Sequence, residues 1–242
     1  MKISSKIAGV LSVLGVIALC LLGSIEFHAF NANYYKSEYL KLHTAESIGM
    51  SEEALFEATD ALLDYLKGKR EDIFCVQNIR GVDREVFDER ETAHMVDVKN
   101  LYISAKNVGI GMSIIGLLSF LWMIYLVRSG KESAFEMRKD LASGFKQVLM
   151  SLGIIVAGIV VYAVIDFSRF WVLFHEIFFT NDLWLLDPNV SVMINMFPEE
   201  FFNGMVMRII LTFILCFLVM VRLYIFMANK LKFLKSDIEI HK

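Results

Sequence analysis

Four apolar runs constrain this chain more than any other feature. Ile7–Ile25, Val108–Val127 and Val148–Ile165 carry no charge, and Ile209–Phe226 carries only Arg222, near its end. A bilayer core of ~30 Å is crossed by about 20 apolar residues in a helix. In hydrocarbon a single segment satisfies its own backbone only as a helix. Arg222 is placed to reach the headgroups. The composition agrees: 56% of the 242 residues are apolar, only two are proline, and mean hydropathy is +0.54. The net charge of −3 and the lack of a basic stripe argue against nucleic-acid binding. The first run is read as a retained span rather than a cleaved signal, since no Ala-x-Ala site follows Ile25. Leu19 precedes Cys20 where a lipoprotein signal needs a small residue. The three cysteines, Cys20, Cys75 and Cys216, form no CxxC motif and suggest neither redox chemistry nor a metal site.

Basic residues set the expected orientation. Lys2 and Lys6 precede the first run. Residues 128–147 hold Arg128, Lys131, Arg138, Lys139 and Lys146, and the tail 229–242 holds Lys230, Lys232, Lys235 and Lys242. Residues 26–107 hold ten Lys or Arg against sixteen Asp or Glu, and residues 166–207 hold one Arg and six acids. The expected fold is an all-α membrane protein, N-in and C-in. A small helical extracellular domain (26–107) joins helices 1 and 2, and an interfacial aromatic-rich loop (166–207) joins helices 3 and 4. Both outer segments lie at the extracellular face of a plasma membrane in this reading.

Within 26–107, Ser51 reads as an N-cap followed by Glu52 and Glu53, with Leu55, Leu62, Leu63 and Leu66 on one face and Gly68 as the stop. Tyr34, Tyr35 and Tyr39 suit an interfacial aromatic belt. Glu89–Lys99 has no helix breaker and is predicted to run as one helix into the second span. Glu91, His94 and Asp97 share a face there at i,i+3 spacing. The same residues also suit a solvated, salt-bridged helix start. The second outer segment sets His175 among phenylalanines and continues through Asn181, Trp184, Asp187 and Pro188 to Pro198. Its aromatic content suits the membrane interface, where Pro198 can open a short amphipathic helix lying flat. An ionisable group at that depth is a candidate site by default, and a histidine snorkelling to the headgroups is the plain alternative.

His94 and His175 each have a carboxylate nearby in sequence. A carboxylate raises an imidazole pKa and burial lowers it, and a value near neutrality suits proton transfer. No GxSxG elbow is present. A zinc-dependent hydrolase would need donors such as His94, His175, Asp97 and Glu176, but no HExxH spacing supports it. A non-enzymatic membrane sensor or scaffold stays open on composition alone.

The run Glu89-Arg90-Glu91-Thr92-Ala93-His94-Met95-Val96-Asp97-Val98-Lys99 closely resembles a signature of a bacterial four-span family, the lipoprotein intramolecular transacylases of Gram-positive bacteria. Phe174-His175-Glu176-Ile177-Phe178-Phe179, with Trp184, Asp187-Pro188 and Pro198-Glu199-x-Phe201-Phe202, resembles its second signature. The resemblance covers the whole chain. It implies an enzyme without cofactor or metal, acting among membrane lipid on a diacylated lipoprotein. The sn-2 acyl chain of the diacylglyceryl group would move to the α-amine of the N-terminal cysteine, leaving an N-acyl lyso form. His94 and His175 would carry the base and acid roles, with the order open. Arg90, Lys99 and Asn181 are candidate oxyanion donors; Asp97, Trp184 and Asp187 join them as candidate substrate contacts.

Overall fold

The computed structural model describes residues Lys2–Ile240; Lys242, counted above in the basic tail, lies outside them. The chain runs α1 (Lys2–Ala29), α2 (Ala32–Leu42), α3 (Thr44–Ile48), α4 (Glu52–Leu66), β1 (Val76–Ile79), β2 (Val82–Glu85), α5 (Glu89–Arg128), α6 (Ala134–Ile165), α7 (Phe167–Phe178), α8 (Val192–Met196) and α9 (Glu199–Ile240). The four apolar runs fall in α1, α5, α6 and α9, the helices long and apolar enough to cross a membrane among the described residues. The fold is mostly helical. It divides into two compact units. Of the described residues, one holds those within 2–25, 106–162 and 209–240; the other holds Glu26–Ala105 and Ala163–Arg208.

The first unit is the helical bundle. Lipid gives helices no hydrophobic reason to associate, so close backbone approach at small residues has to supply the contact. A Cβ on Gly15 of α1 would lie 2.6 Å from the Gly116 Cα of α5, and one on Gly9 would lie 2.8 Å from the Asp140 carbonyl of α6. Beside that second contact the Ser5 hydroxyl donates to buried Asp140 at 2.6 Å. Ala8, Met123, Val127, Ala134, Met137 and Leu141 fill the space between α1, α5 and α6. On the outside, residues such as Ile154, Ile155, Leu211 and Leu215 stay exposed, the surface expected of a bundle that meets acyl chains.

The second unit positions the chemistry. Ser51 caps α4, its hydroxyl accepting from Ala54 N, and Leu55, Leu62 and Leu63 are buried. The tyrosines expected in an interfacial belt are instead core. Tyr34, Tyr35 and Tyr39 of α2 are buried against Phe197 and Phe201, and the Tyr34 hydroxyl donates to the Phe201 carbonyl at 2.6 Å. Their one polar atom each finds a partner inside, so the rings can be buried whole. Pro198 also departs from expectation. It opens no short flat helix; its carbonyl accepts from Phe201 N and starts α9, which continues through the fourth apolar run. Proline has no N–H to lose at a helix start, so it tolerates a long helix after it as readily as a short one.

A hairpin adds to the helical picture of residues 26–107. β1 pairs antiparallel with β2, from Val76 opposite Glu85 to Ile79 opposite Val82. Arg80 (φ 54°) and Gly81 (φ 84°) form the two-residue turn, both with the positive φ that a type I′ hairpin needs. Arg80 is held in that conformation because its N–H donates to the Gly49 carbonyl and its guanidinium to the carbonyls ending α3.

Candidate active site

The site begins with the cap of α5. Asp88 and Glu91 form a reciprocal capping box: Glu91 N donates to Asp88 Oδ1 at 2.8 Å, and Asp88 N to Glu91 Oε2 at 2.7 Å. The other Glu91 oxygen accepts from the Ser191 hydroxyl and from Met193 N at 2.8 Å. This carboxylate is 1% exposed and ties the α5 start to the start of α8. One turn on, His94 faces α7, and one turn further Asp97 accepts from Asn181 Nδ2 at 2.8 Å. The face that the i,i+3 spacing defines therefore docks, in order, on residues 191–193, α7 and the loop after it.

His94 and His175 converge. Their ring centroids are 6.0 Å apart, with the planes tilted by 35°. Both are buried. Phe179 stands edge-on to His94 at 5.3 Å, and Trp171, Phe174 and Trp184 surround His175 at 4.9, 5.5 and 4.8 Å. His175 Nδ1 lies 2.7 Å from the Trp171 carbonyl. A carbonyl only accepts, so Nδ1 carries the proton and Nε2 keeps its lone pair. His94 Nδ1 is buried without a protein partner.

Burial sets the charge of the pair. Desolvation is the main cause lowering both imidazole pKa values, and the His94 value falls to about 4. The neighbouring His175 lowers His94 further, and Asp97 only partly offsets this. Of the two opposing effects that the sequence sets at His94, burial outweighs the nearby carboxylate. Both rings are neutral at neutral pH, and burial disfavours the charged form of each.

The remaining candidates divide by position. Arg90, one turn before His94, pairs with the Asp182 carboxylate at 3.4 Å and donates to the Asp182 carbonyl. Trp184 Nε1 donates to the Asn181 carbonyl at 3.0 Å, which shapes the loop that carries Trp184 onto His175. Asp187 is exposed and accepts from Asn189 N and Nδ2, each at 2.9 Å, so it folds the loop on itself. Lys99, five helical residues from His94, turns to another face, with its Nζ 3.8 Å from the Tyr65 ring centroid. Glu176 is exposed. Among the described residues no three His, Cys, Asp or Glu side chains gather as a metal-ion donor set. Sequence reading did not single out the Trp171 carbonyl or Ser191. The Asp-x-x-Glu spacing at 88–91 was the available signal for the cap that Glu91 completes.

A four-span helical membrane protein with a buried histidine pair in its second unit is the class that fold and site define. The sequence profile of the family described as lipoprotein intramolecular transacylase Lit matches residues 10–202, and the chain belongs to that family. Among solved structures, it is similar to the membrane integral lipoprotein intramolecular transacylase Lit from Bacillus cereus. The TM-score is 0.68 at 22% identity, over 95% of this chain and 97% of that one. Two variants of the Bacillus cereus protein, each with one histidine replaced, match with TM-scores of 0.64 (arginine) and 0.60 (alanine). Their identities are 20% and 19%, over 95% of this chain in both cases and 93% and 92% of those chains. No curated protein matches the chain.

Proposed function

We propose that this family member is a plasma-membrane acyltransferase with N and C termini inside, both outer segments at the extracellular face, and a diacylated lipoprotein as substrate. It moves the sn-2 acyl chain of the diacylglyceryl group onto the α-amine of the same molecule's N-terminal cysteine. The nitrogen–acyl bond forms, the ester carbon–oxygen bond breaks, and one proton passes from the amine to the glyceryl oxygen. Donor and acceptor share one molecule, so no acyl-enzyme is needed and the protein folds the substrate until amine and ester meet.

The observation that carries this reading is the convergence of two neutral imidazoles, 6.0 Å apart, in an aromatic enclosure. An α-amine has a pKa of about 7.7–8.0 and sheds a proton as it attacks. The Trp171 carbonyl supports giving the base role to His175, because it holds the proton on Nδ1 and leaves the Nε2 lone pair free. His94 then serves the departing glyceryl oxygen. Neutral at rest, His94 becomes charged only by taking over the proton that His175 removes from the amine. With burial lowering its pKa to about 4, it passes that proton to the glyceryl oxygen. Asn181, on the loop that carries Trp184 onto His175, and Arg90, bound to that loop, are the candidates for the oxyanion; Asp97 and Trp184 hold the loop. Lys99 and Asp187 fit a supporting role in that loop and helix.

The test is mass spectrometry of a model lipoprotein co-expressed with this protein in a host lacking any other N-acylating enzyme. Wild type should give an N-acyl peptide of unchanged total mass with a lyso glyceryl group. His94→Ala and His175→Ala should each leave the diacyl form. A diacyl product from well-expressed wild type would end this reading.

A further inference from the structure

The hairpin has an open edge, and its geometry can be read from its register. Around a two-residue turn the flanking pair Ile79–Val82 exchanges ladder hydrogen bonds, and exchange then alternates along the strands. The bond from Val86 N to the Cys75 carbonyl, 2.9 Å, falls where that alternation puts it. Val82, Arg84 and Val86 therefore point their N–H and C=O groups at β1. Asp83 and Glu85 point theirs away. Among the described residues no backbone hydrogen bond reaches these outward groups. All four β2 residues are exposed, while β1 is the strand that packs inward through buried Ile79. Exposed Val82 and Val76 leave apolar surface on both faces beside the edge.

An unpaired strand edge is a template for a further strand. We propose that β2 receives the polypeptide that follows the acylated cysteine of the substrate, laid down as a third, extended strand. This rests on the lipoprotein reading above. The place in the chain favours this occupant. Glu85 is separated from α5 by only Val86, Phe87 and Asp88, and His94 is the sixth residue of that helix. At ~3.5 Å per extended residue and ~1.5 Å per helical one, the edge lies within roughly 21 Å of the histidine along the chain. About six extended substrate residues span that distance, so one chain can hold its cysteine at the imidazoles and its later residues on β2. The edge offers two outward residues, enough for weak main-chain pairing and small for a lasting interface between copies. Main-chain pairing reads backbone rather than side chains, so it suits any extended segment.

The test compares two substrates: a diacylated cysteine carrying ten residues and one carrying a single residue, which cannot pair with both Asp83 and Glu85. With wild type in detergent, KM for the long form should be lower by roughly tenfold, the worth of one or two net hydrogen bonds. Glu85→Pro removes an outward N–H and spares the ladder, and should bring the ratio toward one. Backbone N-methylation at alternate residues of the long tether should do the same with the unaltered enzyme, which covers a variant that fails to fold. Equal KM values in wild type, or a ratio that neither change moves, would overturn the proposal. So would a change in oligomeric state with Glu85→Pro at an unchanged ratio, which would make the edge a contact between copies. If wild type converts neither substrate, the acyl-transfer reading itself fails and takes this one with it.

Discussion

At the scale of single residues, the buried histidines set a dependence on pH with a definite sign. The His94 pKa falls to about 4 in the folded protein, because burial disfavours the imidazolium. The unfolded chain protonates near 6.5. Between those values the unfolded state holds the extra proton. The folded state therefore keeps its full stability above about pH 6.5 and loses it as pH falls toward about 4. His94→Asn cannot titrate and should flatten that part of the curve. Thermal unfolding in detergent at pH 6.5 and 4.5 should show a drop in Tm smaller by about 2–4 °C or more in the variant, the shift that goes with each kcal/mol in a domain of this size. The carboxylates titrate in both proteins, so only the difference counts. Equal drops would mean that the His94 ring is hydrated.

At the scale of elements, α5 does the most positioning, and one buried acid on it carries much of the work. Glu91 accepts from Asp88 N, Met193 N and the Ser191 hydroxyl. Glu91→Gln keeps the shape but turns an NH2 toward a donor, leaving buried groups unsatisfied at a cost of about 1–3 kcal/mol. Exposed Glu89→Gln in the same helical turn should change stability by less than about 0.5 kcal/mol. Chemical denaturation of the two variants checks this, and equal effects would sink the role given to Glu91. The contrast also marks how far the sequence was legible. The shared face of Glu91, His94 and Asp97 follows from helical spacing, and so does the unbroken run of α5. The partners do not, because Ser191 lies a hundred residues away and no local pattern points to it. The hairpin was hidden for a different reason: its turn pairs Arg80 with Gly81, and arginine reaches positive φ there only through its bonds to Gly49 and α3. The aromatic core of α2 was hidden as well, since a tyrosine cluster after a span reads equally as a belt or as a core.

At the scale of the whole molecule, the same division holds within the helical bundle. The cost of an unsatisfied backbone in hydrocarbon makes four spans legible from hydropathy alone. Which spans touch, and where, is not legible, because Gly9, Gly15 and Gly116 look like ordinary members of apolar runs. The fold uses them as contact points, with α1 against α5 at Gly15 and Gly116 and against α6 at Gly9. A Cβ on Gly116 would lie 2.6 Å from the Gly15 Cα and 3.1 Å from the Leu11 carbonyl, and neither atom belongs to a side chain that can swing aside. Gly116→Leu should force the helices apart and cost at least the 1–3 kcal/mol typical of overpacking. Gly111→Leu, on the same helix with open space around its Cβ, should cost little. Unfolding of both variants in detergent, with yield in the membrane as a second readout, tests this pair. A Gly111 variant that falls as far as the Gly116 variant would show that leucine harms α5 for reasons unrelated to the crossing with α1.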